Sequence, residues 1–124
     1  MRILISSSMK VYSQLPEIVA GLEKHGHSVR MPEQGGGGVG VDFKRRMIDS
    51  HLEKLRSVDA LLLANIGGRI GTSTFFEAGW AFALGKPVFV LESIDRESDY
   101  AEDLLAIGAV ELKGALGKIK EKEQ

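Results

Sequence analysis

The sequence predicts a single three-layer α/β/α domain, in which helices cover both faces of a five-stranded parallel sheet. Short apolar segments alternate along the chain with segments whose apolar residues recur at helical spacing, as in repeated βαβ units. The length of 124 residues suits one domain over residues 1–124. Because such crossovers are right-handed, we expect the flavodoxin-like strand order 2-1-3-4-5.

The first strand, the first helix and the second strand are predicted within residues 2–31. Residues 2–6, RILIS, are mostly apolar and end in a small polar residue, which is typical of a central strand. Apolar residues recur at helical spacing from position 15 to position 22, and Gly26 is a natural C-terminal cap. Residues 28–31 then predict a short second strand, which Pro32 ends.

A glycine-rich segment separates this unit from the second helix. Residues 33–40, EQGGGGVG, hold five glycines and predict a mobile loop. The second helix is predicted over residues 42–56, with Asp42 as its N-cap. The remaining predicted elements are a third strand at 58–64, a third helix at 73–84, a fourth strand at 87–91, a fourth helix at 100–106, a fifth strand at 109–112 and a charged helix at 115–122.

Composition and charge narrow the classes of function. A chain that is 44% hydrophobic and 27% charged has the composition of a soluble globular protein, and we expect it in the cytoplasm. The formal net charge of −1 gives no reason to expect nucleic-acid or membrane binding. The sequence contains no cysteine, which excludes disulfides and cysteine-ligated zinc. His25 and His27 have no third ligand nearby in the sequence, so we interpret them as cap and surface residues and expect no metal.

The segment NIGGRIGTSTFFE, which ends at Glu77, is the strongest candidate site. It links the third strand to the third helix, and ligands of parallel sheets bind at that edge. Its glycines let the backbone approach a ligand closely, and the free N–H groups at the start of a helix favour the binding of anions. Two roles are open for Glu77. It completes a capping box with Thr74, or it acts as a nucleophile. The candidate substrate-binding residues of this segment are Asn65, Gly68, Arg69, Gly71 and Ser73.

No cofactor is expected. The segment lacks both the GxxxxGK[ST] pattern of nucleoside triphosphate loops and the GxGxxG pattern of dinucleotide folds. No loop offers an aromatic pair that would sandwich a flavin.

A serine-rich loop after the first strand is a second candidate. Its hydroxyl groups, backbone amides and one cation can hold a phosphate or a sugar hydroxyl, although a plain helix cap is an equally open reading. The residues are Ser6, Ser7, Ser8, Met9 and Lys10. Tyr12 lies close by in the sequence and is a candidate for orienting a carboxylate, or simply packs its ring.

The second and third helices carry further candidates. His51 is a candidate general acid or base, with an exposed helical histidine as the alternative. Asp49, two residues away, is expected on a different face. Phe75, Phe76 and Trp80 are interpreted as core or as a subunit contact, with a wall that stacks a nucleobase as the sharper alternative.

Three segments of the chain resemble the nucleoside 2-deoxyribosyltransferase-like family, which includes deoxynucleoside 5′-monophosphate N-glycosidases. They are ISSSMK with the helix ending in EKHGHSV, then HLEKLRSVDALLLAN, and most specifically GTSTFFEAGWAFALGKPVFVL. The run GGRIGTSTFFE also resembles, more weakly, the PGGxGTxxE motif of lysine-decarboxylase-like phosphoribohydrolases.

The resemblance implies cleavage of an N-glycosidic bond, or transfer of a deoxyribosyl group, on a nucleoside or its 5′-monophosphate. Glu77 matches the family's nucleophile and would attack the anomeric carbon, as in retaining glycosidases. Ser8, with Lys10 nearby, matches the loop that holds the 5′ end or its phosphate. Gly68, Gly71 and Ser73 would line the base and sugar. The resemblance also implies a homodimer or a larger homo-oligomer.

Two positions depart from the family pattern. The glycosidases have a carboxylate where this chain has His51, and the transferases have a base-binding aspartate where it has Gly71. His51, Asp49 or Arg69 would have to take over these roles. A non-catalytic nucleotide-binding or regulatory module of the same fold is therefore the alternative to an enzyme.

Overall fold

Five parallel strands form one sheet in the computed structural model of the chain, which describes residues 1–32 and 38–119. The strands are β1 (Arg2–Ser6), β2 (Ser28–Arg30), β3 (Ala60–Leu63), β4 (Val88–Val90) and β5 (Val110–Glu111). They lie in the order β2-β1-β3-β4-β5, so the predicted fold class and strand order are confirmed.

Four α-helices connect the strands in the described part of the chain. They are α1 (Leu15–Lys24), α2 (Val41–Ser57), α3 (Thr72–Ala83) and α4 (Ala101–Ala106). Short 3-10 helices occur at Met9–Gln14, Ile66–Gly68 and Leu116–Lys118. Each predicted α-helix from the first to the fourth is thus present, with bounds that differ by a few residues at most.

The central strands are buried on both faces and divide the core into two layers. Ile3 and Ile5 of β1 face α1, whereas Leu4 between them packs with residues of α2, α3 and α4 on the other side. This alternation follows from the two-residue period of a strand. Both faces of a central strand are buried, so every residue of a strand such as Ala60–Leu63 has to be apolar.

The register of β1 and β3 fixes where a site can form. Ser6 pairs with Leu63, so both strands end at the same edge of the sheet. From β1 the chain crosses to β2 on one side, and the later strands extend on the other. The two connections diverge at this switch point and leave a crevice between them.

Several predicted details are wrong or incomplete. Gly40, not Asp42, is the N-cap of α2, and Asp42 lies in the first turn. His27 is buried rather than on the surface, and its Nδ1 lies 3.0 Å from the Met1 nitrogen. His25 does occupy the C-cap position of α1.

Two further predictions fall partly on residues that the structure does not describe. Residues 33–37 of the glycine-rich loop lie outside the described residues. The last predicted helix, 115–122, is reduced to the 3-10 turn Leu116–Lys118, and residues 120–122 also lie outside the described part. Within residues 1–32 and 38–119, no helix combines the length and apolarity needed to cross a membrane.

Glu111 on β5 ties the edge strand to the loop after β4, and its titration should affect stability. The Arg96 guanidinium, 2.5 Å away, and the Ile94 N–H lower the pKa of its carboxyl below the ordinary value of 4.5. A lowered folded-state pKa stabilises the protein above pH 4.5, and this stabilisation is lost as pH falls. We expect Glu111→Gln to melt below wild type at pH 7, with the gap closing as the pH falls below 4.5, as followed by circular dichroism. A gap that is constant with pH would contradict this.

Candidate active site

A cavity of about 360 Å³ opens at the switch point, beyond the carboxyl end of β1. The loop after β1 forms one side, and the facing sides of α2 and α3 form the others. This volume lies within the range of about 300–1,000 Å³ that is typical of small-molecule pockets. The position and size of the cavity therefore mark it as the candidate active site.

Glu77 lies at the cavity and does not cap its helix. Gly71 is the N-cap of α3, and its carbonyl accepts the Phe75 N–H, so Glu77 falls in the second turn. The capping box predicted with Thr74 is therefore wrong: the Thr74 hydroxyl instead accepts a 3.3 Å hydrogen bond from the Ser6 hydroxyl. The Glu77 side chain is 6% exposed, yet it lines the cavity.

His51 of α2 contacts Glu77 of α3, and both side chains line the cavity. Its Nδ1 lies 2.6 Å from Glu77 Oε1, and its side chain is only 17% exposed. The exposed-histidine alternative is thus wrong. With Glu77 ionised, the carboxylate can only accept, so Nδ1 donates. Asp49 points elsewhere, as expected, and pairs with Arg45 on the exposed side of α2.

The loop after β1 reaches the cavity only in part. Ser6, Ser7, Ser8 and Met9 line it. Lys10 is exposed and lies outside the cavity lining, although its backbone N–H donates to the Ser8 hydroxyl. Tyr12 also lies outside the lining and packs its ring against the core layer on the α1 side.

Only some of the predicted site residues in the loop after β3 line the cavity. Gly71 and Ser73 line the cavity, whereas Asn65, Gly68 and Arg69 do not. The buried Asn65 side chain instead bonds to the backbone of Glu92 and Ser93, and the Gly68 carbonyl accepts the Tyr100 hydroxyl. Gly67 and Gly68 have positive φ angles, 74° and 78°, which glycine adopts more readily than other residues.

Sequence reasoning missed the contribution of α2. Four of its residues besides His51 line the cavity: Phe43, Lys44, Met47 and Ile48. The apolar residues of α2 recur at helical spacing in the sequence, which predicts the helix but not that these residues line a cavity. Of the three aromatic residues on α3, Phe76 and Trp80 line the cavity, while Phe75 packs against the core and Tyr100.

Two buried polar atoms in cavity-lining residues have no hydrogen-bond partner within residues 1–32 and 38–119. They are the Ser7 hydroxyl oxygen and His51 Nε2. Buried polar atoms are normally paired, so a ligand or a water molecule in the cavity is the expected partner of these two. In the same described residues no cluster of three histidine, aspartate or glutamate side chains has the arrangement of a metal site.

Comparison with known proteins reveals similarity in structure but not in sequence. No family model and no curated protein matches the chain. A 2-deoxyribosyltransferase from Bacillus psychrosaccharolyticus is similar over 97% of this chain and 93% of its own, with 20% identity and a TM-score of 0.63. A CMP N-glycosidase from Clostridium botulinum is similar over 91% and 90%, with 15% identity and a TM-score of 0.60.

A conserved protein from Enterococcus faecalis V583 is similar over 86% of this chain and 72% of its own, with 19% identity and a TM-score of 0.53. At these low identities, the structural similarity shows a common fold. The chain therefore has the fold of the nucleoside 2-deoxyribosyltransferase-like proteins.

Proposed function

We propose that this chain cleaves the N-glycosidic bond of a nucleoside or nucleoside 5′-monophosphate, or transfers its deoxyribosyl group, with Glu77 as the nucleophile. The observation that carries the proposal is the buried contact of Glu77 with His51 beside a substrate-sized cavity at the switch point. The fold shared with a deoxyribosyltransferase and a CMP N-glycosidase supports the same chemistry.

The first chemical step forms a glycosyl ester. Glu77 Oε1 is held by His51, so Oε2 is the oxygen available for attack on the anomeric carbon. The new C–O bond replaces the bond from carbon to the base nitrogen. The nitrogen keeps the electron pair and takes a proton from solvent, and the proton that His51 accepts in the second step returns to solvent. Low exposure of the carboxylate excludes competing water from it and strengthens its electrostatic interactions.

The second step releases the sugar. A water molecule attacks the same carbon and the bond to Glu77 breaks, which restores the carboxylate. We assign His51 as the acceptor of the proton from this water, because an imidazole exchanges protons readily near neutral pH. When a second base attacks in place of water, the same step completes a transfer.

The active unit in this proposal is the single domain of residues 1–124, acting on a small molecule as a homodimer or larger homo-oligomer. Exposed apolar side chains beside the cavity, such as Met9 and Ile48, are candidates for the subunit contact. The cytoplasmic location inferred from the composition remains a prediction.

The direct test is incubation with a panel of 2′-deoxynucleosides and their 5′-monophosphates, with free bases separated by chromatography. We expect base release from at least one member of the panel. A trapped sugar on Glu77, found by mass spectrometry of a quenched reaction, would identify the nucleophile. Binding without release of any base would instead favour the non-catalytic nucleotide-binding module.

Two substitutions at His51 separate positioning from proton transfer. His51→Asn keeps an N–H donor near the place of Nδ1, whereas His51→Leu removes it. If the imidazole transfers a proton, both variants should lose about a hundredfold in kcat, since general acid–base catalysis contributes at least this factor. Near-wild-type kcat and an unchanged pH–rate profile in His51→Asn would restrict the residue to holding Glu77 in place.

A further inference from the structure

A second, smaller cleft adjoins the candidate active site. It has a volume of about 190 Å³, and its lining consists of Ile70, Gly71, Thr72, Phe75, Asp99 and Tyr100. Gly71 and Thr72 also line the larger cavity, so the two spaces share a stretch of backbone at the start of α3. A molecule bound in this second cleft would therefore touch the helix that carries Glu77.

The start of α4 holds the loop after β3 at the second cleft. Tyr100, the N-cap residue of α4, donates its hydroxyl to the Gly68 carbonyl at 3.2 Å. The ring centroids of Tyr100 and Phe75 are 6.1 Å apart, and the rings are tilted by 40°. Phe75 lies on α3 two residues before Glu77. Tyr100 thus connects the second cleft both to this loop and to the helix of Glu77.

The chemistry of the lining suits a small organic cation. Phe75, Tyr100 and Ile70 provide mostly apolar surface, and Asp99 provides a carboxylate. Aromatic rings attract a cation through the quadrupole of their π-system, and they recognise quaternary ammonium ligands in this way. A primary ammonium is a compact and strongly hydrated charge, so it gains less from such rings. An alkylated ammonium ion beside the carboxylate therefore fits this lining best.

The segment around the second cleft has a charge opposite to that of such a ligand. Residues 92–111 contain seven Asp and Glu residues and one Arg, a net charge of −6, although the whole chain has a net charge of −1. The exposed carboxylates among them are Asp95, Glu97, Asp99, Glu102 and Asp103. A surface of one sign raises the local concentration of ions of the other sign. The surroundings of the second cleft therefore favour cations.

We propose that the second cleft binds a small alkylated ammonium ion, and that the bound ion acts on Glu77 through Phe75 and the Gly71–Thr72 segment. The binding site is independent of the proposed function, whereas the effect on Glu77 rests on it. The ion lies against the aromatic rings and has Asp99 as its counter-ion. Because the ion contacts the starts of both α3 and α4, it favours the arrangement in which these two helices hold the segment in place.

Choline is the probe for this site. The control ligand is its neutral isostere, in which a tert-butyl group replaces the trimethylammonium group, so the two ligands differ in charge but not in shape. Binding is followed by NMR of isotope-labelled protein at the amides of Gly71, Thr72 and Asp99. We expect saturable shifts with a Kd of about a millimolar for so small a ligand, and at least about fivefold weaker binding of the isostere. No saturable shift with choline, or equal affinity for the isostere, would overturn the proposal.

Two aspartates provide matched variants. Asp99 lines the second cleft, whereas Asp103 is an exposed carboxylate of α4 outside this lining. Asp99→Asn should weaken choline binding about fivefold, the upper range for an exposed ion pair, and leave binding of the neutral isostere unchanged. Asp103→Asn should leave both affinities unchanged. Equal losses of choline affinity in the two variants would assign binding to the general negative charge of the surface and contradict a specific site.

The source of the ion is tested separately, because lipid headgroups carry the same trimethylammonium group as choline. Sedimentation of the protein with phosphatidylcholine vesicles would assign a membrane lipid as the source. Binding of free choline without such sedimentation would assign a small free molecule, which is the result we expect.

Base release measures the effect of the bound ion on Glu77. Saturating choline should raise the rate of base release by wild type at least about fivefold, the lower range for coupling between two sites. Tyr100→Phe keeps the ring but loses the hydrogen bond to the Gly68 carbonyl, so it should bind choline and lose most of the rate effect. If wild type binds choline but releases no base, the catalytic proposal fails and the binding site stands. If choline binds and leaves the rate of base release unchanged, catalysis stands and the coupling to Glu77 is wrong.

Discussion

Glu77→Gln is expected to lower the rate of base release at least a thousandfold while leaving the fold intact. The neutral amide cannot form the glycosyl ester, and removal of a nucleophile in comparable enzymes costs about 10³-fold or more. The substitution keeps the size of the side chain and a carbonyl oxygen that can accept from His51 Nδ1. The measurement is single-turnover release of free base, together with a melting curve that shows the variant is folded.

A second glutamine substitution serves as the control for Glu77→Gln. Glu53 is an exposed carboxylate on α2 and lies outside the cavity lining. Glu53→Gln should retain wild-type release, since an exposed substitution away from the site changes little. If Glu77→Gln retained a tenth or more of the wild-type rate, Glu77 would have to be removed from the mechanism.

Asn65→Ala is expected to lower the free energy of unfolding by about 3 kcal/mol, because three part-buried hydrogen bonds to the backbone are lost together. The Asn65 side chain is almost fully buried. It accepts the Glu92 N–H at 2.8 Å and donates to the carbonyls of Glu92 and Ser93 at 3.4 and 3.3 Å. These bonds tie the end of β3 to the chain leaving β4.

Chemical denaturation followed by circular dichroism measures the effect, and the melting temperature should fall by roughly 10 °C. Gln14→Ala is the matched control, since Gln14 is an exposed amide whose side chain makes no capping hydrogen bond to α1. Its unfolding free energy should stay within about 0.5 kcal/mol of wild type. A similarly small effect in Asn65→Ala would mean that water replaces the lost bonds.

The sheet was predictable because each central strand must be apolar along its whole length. Runs such as ALLL at β3 are short, continuous and bounded by polar residues, and their alternation with amphipathic segments leaves few topologies. The strand order followed from these constraints. Helix ends were less predictable, since Gly40 and not the acidic Asp42 is the N-cap of α2.

The candidate site was predictable by position but not by side-chain direction. The loops that meet at the switch point were correctly identified, yet Lys10 and Arg69 remain exposed and Asn65 turns into the core. Whether a loop side chain reaches the cavity depends on the path of the backbone, which a spacing rule does not contain. The contact of His51 with Glu77 joins residues on two helices, so no local pattern could reveal it.

The attachment of Glu77 to α2 has a consequence for control of reactivity. The carboxylate is carried by one helix, and the ring that restrains it is carried by another. Sliding α2 by one residue, 1.5 Å along its axis, would lengthen or misalign the 2.6 Å contact between His51 Nδ1 and Glu77 Oε1. The position of α2 relative to α3 therefore sets how His51 contacts the Glu77 carboxylate.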